Sequence, residues 1–324
     1  MKVFITKRIP EAGIQLLKDA GLEIFISEHE NLSHEEWLNY CKGSDMILSV
    51  GSEFRYDQAF FNNCPEVKAI ALYSVGFDHV DVKEATARNI PVGNTPDVLS
   101  KATSDVAFLL MQSVARRASY NFGKVKSGNW GDFDPLHALG QELYGKTLGI
   151  FGLGRIGMEM AKKSKTAFGM EIIYHNRSHN DEAEKELGAR YVSFDELITQ
   201  SDVLSIHANF KPEQKELFNA SVFEKMKENA IFINTARGGF HNQKDLYDAL
   251  AEHKIWGAGL DVTNPEPMFK DDPMLELSNV CVLPHIGSAT VEARTGMAKI
   301  AAANLIAFSK GEPMPASVNP EVYS

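Results

Sequence analysis

TLGIFGLGRIGMEMAKKSKTAF, residues 147–168, decides the fold. The apolar run TLGIF passes directly into GLGRIG at 152–157 and then into a helical stretch, MEMAKKSKTAF. A strand, a glycine turn and a helix in that order form a cradle for a pyrophosphate. Gly152 permits the tight turn, Gly154 lets the backbone approach a phosphate, and Gly157 lets the helix pack on the strand. Arg155 and Ile156 complete the loop. The first amides of the helix and its dipole then favour an anion.

Downstream the pattern repeats. EIIYH, RYV, DVLSIH, AIFIN, GAGLDV and VCVLP are short apolar runs separated by helical or turn sequence. With TLGIF they make seven candidate strands, a good size for a doubly wound nucleotide-binding sheet. The second of these strands selects the dinucleotide. NAD sites usually place a carboxylate about 20 residues after the glycines, on the ribose 2′-hydroxyl. Here the strand ends Tyr174-His175-Asn176-Arg177-Ser178, and no carboxylate follows until Asp181. Arg177 suits a 2′-phosphate, and Asn176 and Ser178 can donate hydrogen bonds to it. NADP(H) is therefore favoured, with NAD(H) possible.

Upstream, residues 1–98 alternate KVFIT, LEIFIS, MILSV and KAIALY with the helical stretches IQLLKDA and HEEWLNY. Strands alternating with helices imply a parallel sheet covered on both faces. NTPDVLS (94–100) reads as a crossover between domains. A long helix is expected over 101–118, with Val106, Leu109, Leu110 and Val114 on its apolar stripe. The irregular segment 127–143 reads as a surface arm. A last helix, from Ala289 to Gly311, is expected to pack back on the first domain. The expected architecture is α/β, with two doubly wound parallel-sheet domains. Residues 100–288 form a Rossmann-type dinucleotide-binding domain, and 1–99 with 289–324 form a flavodoxin-like substrate domain.

Composition narrows the partners. The chain has 324 residues and a formal net charge of −10, so it has no general attraction to nucleic acid or to anionic membranes. An anionic substrate needs a local cationic pocket. No apolar run reaches the ~18–20 residues that span a bilayer. The N-terminal apolar stretch is too short for a secretory signal and reads as a first strand. Cys41, Cys64 and Cys281 are odd in number, far apart and without a CxxC pair. They read as reduced, buried thiols of a cytoplasmic protein rather than as metal ligands or nucleophiles.

Three polar groups sit just beyond apolar runs, where open α/β sheets place their ligands. Arg237 follows AIFIN in Asn234-Thr235-Ala236-Arg237-Gly238, and its planar fork matches a carboxylate. Glu266 lies in NPEP, five residues after Asp261 ends the strand GAGLD. His285 follows VCVLP, nineteen residues further on. A carboxylate beside an imidazole stabilises the imidazolium and orients the ring. Such a histidine can give its proton to a carbonyl oxygen as hydride reaches the carbon. Either residue alone would more often be structural. Their occurrence together in a sheet with a dinucleotide loop is what carries the assignment.

On these motifs the chain resembles the D-isomer-specific 2-hydroxyacid dehydrogenases. GLGRIG, NTARG, GAGLDV with NPEP, PHIGSAT, and SVGFDHVD at 74–81 match that family's pattern over nearly the whole length. HNRS at 175–178 and the ending VNPEV are similar to the glyoxylate/hydroxypyruvate reductase branch. The resemblance implies an NAD(P)H-dependent reductase of small 2-oxo acids that forms D-2-hydroxy acids with a histidine as acid. It implies that Arg237 binds the substrate carboxylate and carbonyl, and that Glu266 pairs with the acid/base His285. It further implies that Val75 and Gly76 offer backbone N–H groups to the carboxylate, and that Ser288 lies near the substrate. Thr103 and Asp261 would lie near the nicotinamide. Ala208, Thr235, Ala236, His285 and Gly287 would line the cofactor. A homodimer is implied, with the 120–143 region embracing the partner.

The chain departs from the family in HANFK (207–211), where HVPLT is frequent, and in GGFHN after Arg237, where GPVVD or GPVVN is usual. A second tryptophan near Phe133 and a large residue near His137 are also replaced. These changes bear on pocket shape and on the preferred 2-oxo acid. Two alternatives stay open. One is a D-3-phosphoglycerate or D-lactate dehydrogenase, although Arg55 and His79 are the only extra cationic candidates in the first domain and no long regulatory extension follows residue 324. The other is a dinucleotide-sensing binding protein without catalysis.

Overall fold

A computed structural model describes residues 1–27 and 32–324. The chain divides into two compact units, Met1–Leu99 with Ala289–Ser324, and Ser100–Ser288. Each is built on one fully parallel sheet.

In the first unit the strands are β1 (Lys2–Ile5), β2 (Glu23–Ile26), β3 (Met46–Ser49), β4 (Ala69–Leu72) and β5 (Val92–Gly93), in the order β2-β1-β3-β4-β5. The central strands β3 and β4 are buried along their whole length, as a sheet covered on both faces requires. The helix Val291–Ser309 packs so closely on Glu11–Asp19 that a Cβ added at Gly13 would lie 2.7 Å from the Ala298 carbonyl oxygen. Ser33 and Glu36 close a capping box at the start of His34–Lys42. Such a cap stabilises a helix by about 1 kcal/mol. β5 has only two residues, too short to show a period.

The second unit holds β6 (Thr147–Phe151), β7 (Glu171–His175), β8 (Arg190–Tyr191), β9 (Val203–Ile206), β10 (Ile231–Asn234), β11 (Gly257–Leu260) and β12 (Val280–Val282). Their order is β12-β11-β10-β9-β6-β7-β8. The chain turns from one half of the sheet to the other between β6 and β9, and a crevice opens there at the strands' carboxyl ends.

The long helix of this unit differs from the expected one. It runs over Ser100–Ala115, and a separate helix, Ala118–Lys126, follows. Arg117 adopts a left-handed backbone (φ 48°), and the Ala115 carbonyl is taken by the Gln141 N–H at 2.8 Å, so the helical ladder cannot continue. The buried stripe is Ala107, Leu110, Met111 and Val114, at helical spacing, while Leu109 is 51% exposed. Leu109 therefore lies outside the core stripe assigned to it from sequence. Among the described residues no helix is long and apolar enough to cross a membrane.

Candidate active site

The glycine loop leaves β6 at Gly152, which has φ +93°. A Cβ there would lie 2.4 Å from the Ala208 backbone nitrogen, so the β6 turn and the end of β9 touch at the crevice. Gly157 presses the helix Arg155–Phe168 against its strand, and a Cβ there would lie 2.8 Å from the Gly152 carbonyl oxygen. Gly154 caps that helix and faces open space. A turn that only glycine can make, beside an open helix N-terminus, is a cradle shaped for a phosphate.

Beyond β7, Arg177 and Ser178 are exposed and have no hydrogen-bond or ion-pair partner among the described residues. Asn176 is placed otherwise. Its amide oxygen accepts from the Leu153 N–H at 2.7 Å, and its Nδ2 donates to the Leu153 carbonyl at 3.3 Å. It braces the glycine loop, so its side chain is occupied where the sequence reading offered it to a phosphate. Glu184, the carboxylate that approaches this turn, accepts from the Tyr174 hydroxyl at 2.6 Å and contacts the His179 ring at 2.8 Å.

Among the described residues, four buried side-chain polar atoms of this unit have no hydrogen-bond partner: Arg117 Nε, His207 Nδ1, Gln214 Oε1 and the Thr235 hydroxyl. Those of His207, just beyond β9, and Thr235, just beyond β10, lie at the carboxyl ends of the strands. Unpaired buried polar atoms at the ligand end of a sheet fit a site completed by a bound molecule. With the glycine cradle they suit a dinucleotide. Sequence reading passed over His207, although it ends its strand just as His285 does.

The candidate reacting groups follow β10, β11 and β12. His285 Nδ1 and Glu266 Oε1 are 2.5 Å apart, both partly exposed. The His285 loop is held from beneath by Asp261, which is 1% exposed. Its two carboxylate oxygens accept from the N–H groups of Ile286 (2.8 Å) and Gly287 (2.7 Å), and the His285 N–H reaches the Asp261 carbonyl at 3.0 Å. Burial pushes the Asp261 carboxyl above its ordinary range, and these two amide bonds pull the other way. Asp261 is thus a strut for the His285 loop. Thr103 is buried beside it, and a Cβ added at Gly287 would lie 3.2 Å from the Thr103 methyl.

Arg237 sits two residues beyond Thr235, and Ala236 beside it is half-buried. The arginine loop and the loop leading to Glu266 abut, since a Cβ at Gly238 would overlap the Thr263 carbonyl oxygen. So the arginine, the carboxylate and the imidazole all leave one edge of one sheet. Ser288 is half-buried at the end of this unit. Val75 and Gly76 belong to the other unit, in the turn after β4. The Val75 carbonyl accepts from Asn94 at 2.9 Å and that of Gly76 from the Ser74 hydroxyl at 2.7 Å. Neither N–H donates a backbone hydrogen bond among the described residues.

Two further histidines contribute to the loss of stability in acid. Burial lowers His207 to about 3 and His241 to about 4, from an ordinary 6.5. Between those values and 6.5 the unfolded chain binds protons that the folded chain refuses. Stability is therefore complete above pH 6.5 and is lost progressively below it. Each histidine contributes a fall of about 1.4 kcal/mol per pH unit in that window. Urea unfolding at pH 7.5 and 5.5 is expected to differ by about 2–3 kcal/mol, and a double replacement of both rings is expected to flatten the difference.

Comparison with known proteins follows the same lines. Residues 108–287 match the model of the D-isomer specific 2-hydroxyacid dehydrogenase, NAD binding domain. The chain is 44% identical over 328 residues to a glyoxylate reductase of Thermococcus litoralis, covering 100% of this chain and 98% of that one. It is 40% identical over 320 residues to a human glyoxylate reductase/hydroxypyruvate reductase, covering 98% of each. Among solved structures it is similar to an NADPH-dependent glyoxylate/hydroxypyruvate reductase from Sinorhizobium meliloti in complex with NADP and malonate. That likeness has a TM-score of 0.84 at 28% identity and covers 98% of this chain and 97% of that one.

Proposed function

The chain belongs to the D-isomer specific 2-hydroxyacid dehydrogenase family, and on that premise we propose that it reduces glyoxylate and hydroxypyruvate, with NADP(H) preferred. It is an oxidoreductase with a nicotinamide dinucleotide cofactor. The observation that carries the reading is the Glu266–His285 pair, held on the sheet edge that also carries the Arg237 loop. A reduced nicotinamide dinucleotide, when bound, would supply a hydride. The Arg237 guanidinium holds the substrate carboxylate and polarises the carbonyl. Glu266 orients the His285 ring through Nδ1. His285 delivers a proton to the carbonyl oxygen, which becomes the hydroxyl of the 2-hydroxy acid. Initial rates of NADPH oxidation with glyoxylate, hydroxypyruvate and pyruvate test this directly. Turnover of the first two supports it, and cofactor binding without turnover of any 2-oxo acid supports a sensor instead.

The preference for NADP(H) rests on Arg177 and Ser178, exposed and unpaired beyond β7, and on a Glu184 already engaged by Tyr174 and His179. A charged hydrogen bond to a phosphate stabilises by about 1.5–3 kcal/mol. Arg177→Ala is expected to raise KM for NADPH about ten- to a hundredfold and to leave that for NADH within about threefold. An equal rise for both cofactors contradicts the assignment.

The proposed assembly is a homodimer in the cytoplasm. Phe122, Trp130, Phe133, Leu136, Leu139 and Tyr144 crowd one segment with 59–93% exposure, more apolar surface than a lone subunit ordinarily leaves to water. Light scattering is expected to give twice the 35.9 kDa chain mass, and a monomer at micromolar concentration overturns this.

A further inference from the structure

His241 stands where the family motif usually carries an apolar residue, and its ring is fully buried. Each ring nitrogen has one partner. Nδ1 lies 3.0 Å from Asn234 Nδ2, and Nε2 lies 3.0 Å from Gln243 Oε1. The partners are themselves anchored. Asn234 Oδ1 accepts from the Ala236 N–H at 3.0 Å, and its Nδ2 donates to the Arg237 carbonyl at 2.9 Å. Asn234 thereby fixes the backbone on which the arginine rides. Gln243 Oε1 also accepts from the Asn264 N–H at 3.4 Å, two residues before Glu266, and its Nε2 donates to Asp272 at 3.4 Å.

These contacts admit one arrangement of protons. The Asn234 amide oxygen is committed to the Ala236 N–H, so its NH2 faces His241 and Nδ1 must accept. Nε2 must then carry the hydrogen and donate to Gln243. A second proton on Nδ1 would set two donors against each other, and burial already disfavours the charged ring. The ring itself is fixed, since its backbone N–H reaches the Gly238 carbonyl at 3.2 Å and it packs edge-on against Phe232.

We propose that His241 is a positioning residue that ties the Arg237 loop to the Glu266 loop, through Asn234 on one ring nitrogen and Gln243 on the other. The inference rests on the reductase reading above, because only there do the arginine and the carboxylate act on one substrate. It goes further in assigning the relative placement of the two groups to a buried imidazole that touches neither substrate nor cofactor.

The test combines a spectroscopic and a kinetic reading of the full chain. In 15N-histidine-labelled protein near neutral pH, the His241 resonances, assigned by their loss in His241→Val, are expected to be those of a ring protonated only on Nε2. For glyoxylate reduction, His241→Val is expected to lower kcat/KM about ten- to a hundredfold, the order that a misplacement of about an ångström produces. KM for NADPH should move by less than about threefold. His241→Gln, whose amide can accept from Asn234 and donate to Gln243, is expected to recover most of the loss. Gln243→Leu should match His241→Val, and the double variant should be no worse than either. A ring protonated on Nδ1, a His241→Gln as impaired as His241→Val, or losses that multiply in the double variant would each overturn the proposal. If His241→Val does not fold, the wild-type His241 resonances can be assigned by their loss in His241→Gln, and Gln243→Leu carries the kinetics. A wild type that turns over no 2-oxo acid removes the reductase reading, while the tautomer still decides whether the bridge exists.

Discussion

Replacing His285 by Ala is expected to lower the rate of glyoxylate reduction about a hundred- to ten-thousandfold, the range lost with a positioned general acid. The argument begins with the loop. His285 takes a left-handed backbone (φ 52°), and Asp261 binds the next two N–H groups, so the imidazole is presented where Glu266 meets Nδ1 at 2.5 Å. Nε2 is then the nitrogen left to hand over a proton. The side chain is 49% exposed, so its loss opens no cavity and the fold should persist. NADPH affinity should change by less than about threefold, because an acid acts in the transition state rather than in the bound ground state. A His285→Ala protein within tenfold of wild type would remove this residue from the chemistry.

Gly152→Ala is expected to abolish detectable dinucleotide binding and to lower stability. Two costs add at this position. A φ of +93° is foreign to an L-residue, and the strain is about 1–3 kcal/mol. The added methyl would also meet the Ala208 backbone nitrogen at 2.4 Å, and backbone cannot swing aside as a flexible side chain does. The β6 turn must move away from the end of β9, and the phosphate cradle opens with it. Gly154→Ala is the informative contrast. Its Cβ would meet no protein atom, so it should fold like wild type and lose affinity only through the dinucleotide. Equal unfolding midpoints for Gly152→Ala and wild type, with NADPH binding kept, would contradict this.

The second sheet was readable from its sequence because each strand is a short apolar run stopped by a polar or glycine residue. All seven runs from TLGIF to VCVLP became strands of that sheet. What escaped was too short or too dependent on distant partners. The helices Gln58–Asn63 and Val82–Ala87 have fewer than two turns, so no period emerges. The break at Arg117 depends on a carbonyl captured by Gln141, twenty-four residues further along. At the site, position at a strand end was enough to single out Arg237, Glu266 and His285. His207 ends the run DVLSIH in the same way. It could not reveal that Asn176 braces the glycine loop or that Asp261 clamps the His285 loop, since those roles depend on which amide lies opposite. The Asn234–His241–Gln243 relay was equally hidden, because residues 234, 241 and 243 share no face in any regular element.

Direct hydride delivery to a carbonyl carbon, with a proton from His285, is the central claim. Its most direct measurement uses NADPH carrying two deuterium atoms at C4 of the nicotinamide, mixed with glyoxylate and the full chain, and the product analysed by mass. The account predicts glycolate with one deuterium on C2 from the wild type, and that product almost eliminated by His285→Ala. Glycolate formed without deuterium, or formed as fast by His285→Ala as by the wild type, would contradict it.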